Sequence, residues 1–215
     1  MSSEIEWFGQ TLSSDLTHVQ LFGLADYHLG NPFSDRKSWL RAIDYISKTK
    51  EAFGILVGDL CECVVMGSKG DIFNQVMTPQ DQRDAIIEDL KPIKDKLLGS
   101  TQGNHERRIA DRTGIDICQD IANALEIPYA RDGLFLRISF GSGADRHVED
   151  QFKYWVYATH GYGGARTRAA KAVKVERQAD FVMADVVMMA HDHEGNLAPK
   201  NVLLPDEYHG RKNGK

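Results

Sequence analysis

Short, mostly apolar runs alternate along the chain with longer stretches in which apolar residues recur every three or four positions. Residues 19–25 and 53–57 are runs of the first kind, the pattern of buried strands. Between them Trp39, Ile43 and Ile46 stand at helical spacing, which predicts a helix from a cap at Ser34 to about Lys50. Thr78-Pro79-Gln80-Asp81 opens a second helix, with a hydroxyl cap, a proline where no N–H is needed, and an acid in the first turn. Ile86, Ile87, Leu90 and Ile93 carry that helix to about Leu97, and a short strand then leads to Gly103. Residues 115–125 read as a helix stopped by Ile127-Pro128. Residues 134–140 and 152–159 read as the strands of a hairpin around the polar turn at 141–150. Residues 168–179 are helical, 181–190 contain a further strand, and 201–204 are a candidate last one.

The first half thus alternates strand and helix, and the second half is richer in consecutive strands. This predicts an α/β protein with a mixed sheet or a sandwich. With 215 residues and no repeat, low-complexity tract or linker, one domain spanning 1–215 is expected. A hydrophobic fraction of 42% and a charged fraction of 27% are those of a soluble protein. No apolar run reaches the length of a membrane span; the best, 181–190, is short and holds Asp185. The first residues lack the basic and apolar regions of a signal peptide. Three cysteines without a secretory signal predict a reducing compartment, hence a cytoplasmic location. Cys61 and Cys63 have no second pair to complete a zinc site and are expected to be small buried side chains. The net charge of −5 argues against a broad nonspecific nucleic-acid surface but leaves room for a local basic patch.

Chemistry-bearing residues stand in five clusters: Asp26-Tyr27-His28, Gly58-Asp59, Gly103-Asn104-His105-Glu106, His160-Gly161 and His191-Asp192-His193. Each directly follows a predicted strand, and ligands of open α/β sheets bind beyond the carboxyl ends of strands. Two divalent ions about 3.5–4 Å apart can hold the oxygens of a phosphate ester and supply a bridging hydroxide as nucleophile. Such a site needs carboxylates, one of them shared, with neutral imidazoles and an amide oxygen. Asp26, His28, Asp59, Asn104, His160, His191 and His193 supply that set. Two divalent cations, two carboxylates and one hydroxide leave roughly +1, which favours an anionic substrate. Each fragment alone is weak, since Gly-Asp is common in turns and an isolated Asp-x-His is usually surface; the ordered set is specific.

That order resembles the calcineurin-like metallophosphoesterase superfamily over residues 26–193. The resemblance implies a four-layer α/β/β/α sandwich of two mixed sheets flanked by helices, and phosphoester hydrolysis at a binuclear centre. It implies one metal on Asp26, His28, Asp59 and His193 and a second on Asp59, Asn104, His160 and His191, with Asp59 bridging. His105 would bind no metal and would protonate the leaving oxygen or stabilise charge on the phosphate. The ions implied are manganese, iron or zinc, with manganese favoured.

Departures narrow the expectation. Ala190 stands where the family has a glycine before the last His-x-His, and Glu62-Cys63-Val64 stands where the Ser/Thr-phosphatase branch has Asp-Arg-Gly. Protein phosphatase activity is therefore not expected. Glu62 takes the place of that branch's acid and is a candidate to orient His105. Only 22 residues follow His193, so C-terminal strands usual in the superfamily are expected to be missing or minimal. The Gly-rich loop after His160 leads to Arg166, Arg168, Lys171, Lys174 and Arg177, a stretch that resembles small metallophosphoesterases of phages and mobile elements. Arg166, Arg168 and Arg107 are candidate substrate-binding residues; a solvated basic helix face is the bland alternative for the loop and helix. The expected function is a phosphodiesterase or nuclease acting on a phosphoester, nucleic acid included. A phosphomonoesterase for a small molecule and a non-catalytic scaffold are the alternatives.

Overall fold

The structure, a computed structural model, describes residues 5–68, 70, 72–141, 152–164, 167–193, 195–197 and 199. In chain order the elements are β1 (Ile5–Thr11), β2 (Gln20–Leu24), α1 (Arg36–Lys48), β3 (Ala52–Val57), α2 (Pro79–Leu90), a 3-10 segment (Lys91–Lys96) and β4 (Leu97–Thr101). There follow α3 (Asn104–Thr113), α4 (Ile117–Leu125), β5 (Tyr129–Ala130), β6 (Gly133–Phe140), β7 (Phe152–Thr159), α5 (Arg168–Phe181) and β8 (Val186–Met189). They form two four-stranded sheets, ordered β2-β3-β4-β5 and β1-β6-β7-β8. The protein is therefore α/β with two multi-stranded sheets.

The first sheet is parallel at every pairing, so the expectation of two mixed sheets is corrected for it. Its strands are joined by helical crossovers, which force parallel pairing and cover a face. The second sheet is mixed: β6 and β7 form the expected antiparallel hairpin, while β1 and β8 pair parallel at its edges. Most of the hairpin's turn, and the candidate strand at 201–204, lie outside the described residues.

β3 shows why the layers hold. Alternate residues point to opposite faces, and every residue of β3 is buried. Ala52 and Leu56 join α1, α2 and α4 in one core, while Phe53, Ile55 and Val57 meet Leu134, Leu136, Val156 and Ala158 of the second sheet in another. Fully burying a side chain such as Ile55 or Leu56 is worth about 1.5–3 kcal/mol. The same two-sided burial made β3 legible as a continuous apolar run.

Several boundaries differ from expectation for local reasons. Asp35, not Ser34, caps α1, its carboxylate accepting from Ser38 N. The helix opened by Thr78 does not reach Leu97: Pro92 lacks an N–H and the backbone tightens to 3-10 after Leu90. Helix α4 starts at Ile117 because Asp116 caps it with bonds from Cys118 N and Gln119 N. The strand expected within 181–190 is confined to β8, and Phe181 belongs to α5. Cys61, Cys63 and Cys118 are free and buried. Among the described residues no helix is long and apolar enough to cross a membrane.

Candidate metal centre

The turns that leave β2, β3 and β4 are locked to one another. Asp26 N donates to Gly58 O, His28 N to Asp59 O and Leu29 N to Leu60 O, so the Asp26–His28 turn is zipped to the Gly58–Asp59 turn. Gly58 and Gly103 pack backbone on backbone: a Cβ on Gly58, at φ +76°, would lie 2.5 Å from Gly103 N. A Cβ on Gly103 would lie 2.0 Å from Asp59 N, and no side chain fits there. This close approach is the physical content of the Gly-Asp and Gly-Asn-His motifs. Below it Glu106, wholly buried, accepts from Asp59 N at 3.1 Å and Cys61 N at 2.8 Å. Burial and the nearby Asp59 charge push its pKa up to about 7.

Asp26, His28, Asp59, His191 and His193 all have φ between 51° and 74°, the left-handed region that non-glycine residues rarely enter. Backbone of this kind costs of order 1–3 kcal/mol per residue and persists only where the surroundings over-determine it. Five of the seven expected ligands are thus aimed by turns that folding alone does not favour.

The geometry brings the expected residues together in overlapping groups. Asp26, His28 and His193 present donor atoms within 4.8 Å of one another, as do Asp59, His160 and His191. His28 Nε2 lies 3.3 Å from His193 Nε2 and 3.9 Å from Asp59 Oδ2, and His193 Nε2 lies 3.7 Å from Asp26 Oδ1. His160 Nε2 lies 3.1 Å from Asp59 Oδ2, 3.0 Å from Asn104 Oδ1 and 3.4 Å from His191 Nδ1. Asp59 thus stands between the groups, and its other oxygen accepts from His105 N at 2.8 Å.

The hydrogen bonds also fix tautomers. His160 Nδ1 donates to Val57 O at 2.8 Å, which leaves the Nε2 lone pair facing Asp59 and Asn104. His191 Nε2 donates to Gly163 O at 2.6 Å, which turns its Nδ1 lone pair inward. Lone pairs of ring nitrogens therefore converge with carboxylate and amide oxygens. A donor set of nitrogen and oxygen atoms closing on one space fits divalent cations.

Charge within the cluster follows from burial and proximity. Burial pushes Asp26 up. Burial also works to raise Asp59, but the hydrogen bond and charge of His160, with the contacts from His105, prevail and bring it to about 2. Burial works to lower His160 and His28, but Asp59 for the former, and Glu62 with Asp59 for the latter, raise both.

His105 opens α3 at the rim of the cluster. Its Nδ1 donates to Glu62 O at 2.9 Å, and its Nε2 lies 3.8 Å from Asp59 Oδ2. Burial holds its pKa down, and the charges of His28 and Arg108 add to that. His28, Asp59 and His105 also satisfy the spacing of a ligand trio, so geometry does not by itself separate His105 from the ligands. The Glu62 carboxylate lies 3.2 Å from His28 Nδ1 and 3.6 Å from His105 Nδ1. The side chain expected to orient His105 is thus nearer to His28, and the backbone carbonyl of the same residue holds His105.

The candidate substrate residues fare differently. Arg107 pairs with Asp132 and donates through Nε to Gln102 Oε1 at 3.0 Å. Arg166 lies outside the described residues, and Arg168 is exposed at the start of α5 behind the cap Thr167. The basic helix is not simply a solvated face. Lys174 Nζ reaches Asp192 Oδ1 at 2.7 Å and Tyr162 O at 3.1 Å, and Lys171 Nζ reaches Asp192 O at 2.9 Å. Two lysines one helical turn apart therefore hold the loop carrying His191 and His193. Their i, i+3 spacing was visible in the sequence; their target was not.

No protein-family profile matches the chain. The chain is similar to the Gene 54 protein of Mycobacterium phage L5, with 25% identity over 178 residues, covering 78% of this chain and 67% of that protein.

Proposed function

We propose that the protein is a metal-dependent phosphoester hydrolase of the metallophosphoesterase type, acting on a diester. The observation that carries this reading is the convergence of seven nitrogen and oxygen donors, drawn from the ends of both sheets, around the shared Asp59 carboxylate. The two sheets, with α1 and α4 packed on the parallel one and α5 against β8, are read as the α/β/β/α sandwich of that superfamily. Asp26, His28, Asp59 and His193 would hold one divalent ion, and Asp59, Asn104, His160 and His191 the other, with manganese the first choice.

When bound, the ions supply positive charge against the phosphoryl oxygens and lower the pKa of water. The chain's own groups do the rest. His160 and His191 are held by backbone carbonyls through one ring nitrogen, so the other is already turned toward the ligand space. His105, fixed through Nδ1, presents Nε2 to the reacting region and protonates the departing oxygen or stabilises charge on the phosphoryl group.

The test is purification with manganese followed by assay on bis(p-nitrophenyl) phosphate. Turnover that is lost on chelation and restored by metal is expected. A folded protein that turns over nothing with manganese, zinc, iron or nickel would overturn the proposal.

A further inference from the structure

A pocket of about 550 Å³ opens beside Asp26, His28 and His193, with His105 and Glu62 on one side and the segment from Asn31 to Asp35 on the other. That volume suits one organic group of small-ligand size. Among the described residues no lysine or arginine lines it, whereas Asp26, Asp35 and Glu62 do. The adjacent Arg36 is committed to Asp89 at 2.8 and 3.0 Å. The N-terminus of α1 at its border is satisfied by the Asp35 carboxylate, which removes it as an anion site. A second phosphate would find no counter-charge among the described residues of this lining.

Its apolar surface is aromatic and held in place. Tyr27 and Trp39 stack at 4.5 Å and form a buried wall. Phe33 stands at the rim, 94% exposed. Its loop is pinned: Phe33 N donates to Asn31 Oδ1 at 3.0 Å, Ser34 Oγ to Asn31 O at 3.0 Å, and Asn31 N to His28 O at 2.9 Å. Gly30 packs against Gln82 so closely that a Cβ would lie 2.2 Å from Gln82 Nε2. Burying a phenyl ring is worth about 1.5–3 kcal/mol. A ring kept in water by an ordered loop, at the mouth of a pocket that ends on His105, is placed to meet a ligand.

We propose that this pocket receives the leaving group of the substrate, and that this group is an uncharged aromatic one, a nucleoside or aryl ring stacked on Phe33, and not a further phosphate. The inference rests on the phosphoester-hydrolase reading and names its substrate class. In the reaction a water oxygen bonds to phosphorus and the bond from phosphorus to the leaving oxygen breaks. That oxygen departs with the electron pair and takes a proton through His105, and a proton of the water, released to solution, balances it.

The experiment uses the manganese-loaded chain and three probes: inorganic phosphate, thymidine 5′-monophosphate and thymidine 5′-diphosphate. Their affinities are measured by calorimetry and as inhibition of bis(p-nitrophenyl) phosphate hydrolysis. The monophosphate is expected to bind at least about ten-fold more tightly than phosphate, the scale of one stacked base, and the diphosphate no more tightly than the monophosphate. Phe33→Ala should remove about ten-fold of the monophosphate affinity while phosphate stays within about two-fold, and Phe33→Trp should retain it. Equal affinity for phosphate and monophosphate, a Phe33→Ala variant that binds monophosphate unchanged, or tighter diphosphate binding, each with hydrolysis intact, overturns the pocket assignment alone. Absence of both hydrolysis and phosphate binding in the unsubstituted chain overturns the hydrolase reading beneath it.

Discussion

The two halves of the centre are built in different ways. Asp26, His28, Asp59 and Asn104 leave the parallel sheet, where backbone hydrogen bonds join one turn to the next and the buried Glu106 holds Asp59 N from below. On the other side, His160 follows β7 and is tied to Val57 O, but His191 and His193 ride on a loop beyond the edge strand β8. There the restraint comes mainly from side chains, with Lys171 and Lys174 reaching across from α5 to Asp192 and His191 N donating to Asp26. The His193 side chain remains 56% exposed, against 2% for Asp59. The parallel-sheet half is set by the fold itself, and the mixed-sheet half is completed by a clamp.

The largest effect should come from the residue that belongs to both halves. Asp59→Asn is expected to weaken both metals together, by more than the roughly 10–100-fold that follows loss of a group behind the ligands, with activity lost. Metal analysis after dialysis tests this, and loss of one ion with the other retained would break the idea of a shared carboxylate. Next in size is His105→Ala, expected to lower kcat by about 10²–10⁴-fold with metal content unchanged. A fall in bound metal would place His105 among the ligands, as the His28, Asp59 and His105 spacing allows.

Lys174→Met sharpens the contrast between the halves. It removes the bond to Asp192 and should weaken one or both ions by about 10–100-fold while leaving the unfolding midpoint of the metal-free chain nearly unchanged. Lys174→Arg should restore most of the affinity. If the methionine variant instead loses metal-free stability and keeps its metal affinity, Lys174 supports the fold and not the loop's ligands.

The smallest effect is one of pH on the metal-free chain. Raised folded values for His28 and His160 give stability that is present below their unfolded pKa and lost as pH rises through the folded one. Glu106 acts in the same direction: with a folded pKa of about 7 against 4.5, the folded chain keeps a proton that the unfolded chain has released. Stability should therefore decline between about pH 4.5 and 7 and beyond. Metal-loaded protein should show the reverse trend, because ligands must shed protons to bind. Urea midpoints that stay level or rise with pH in chelator would contradict the sign.

Much of this was legible in the sequence, and the reason is physical. β3 is buried on both faces, so its apolar run is unbroken; β1, with Trp7 exposed at the sheet edge and Gly9 within it, carries no such signal and was not foreseen. Helix α3 was hidden because its sequence is nearly all polar, with only Glu106, Ile109 and Ala110 buried. The seven candidate ligands could be picked out because metal chemistry restricts residue type and because each follows a strand end. What holds them could not: Val57 O and Gly163 O are backbone atoms with no residue signature, and Lys174 finds Asp192 only through the packing of α5 on β8.

The left-handed conformations at Asp26, His28, Asp59, His191 and His193 have a consequence for anyone who would move this centre to another scaffold. The side chains cannot be transplanted as a set of residues onto ordinary strand ends, because the backbone there would aim them elsewhere. The portable unit is the turn together with its neighbour: Gly58-Asp59 pressed against Gly103-Asn104, and the Asp26–His28 segment hydrogen-bonded alongside. A graft that copied those backbones with alanine in place of every ligand would keep the shape of the centre without its chemistry, whereas a graft of the ligands alone would keep neither.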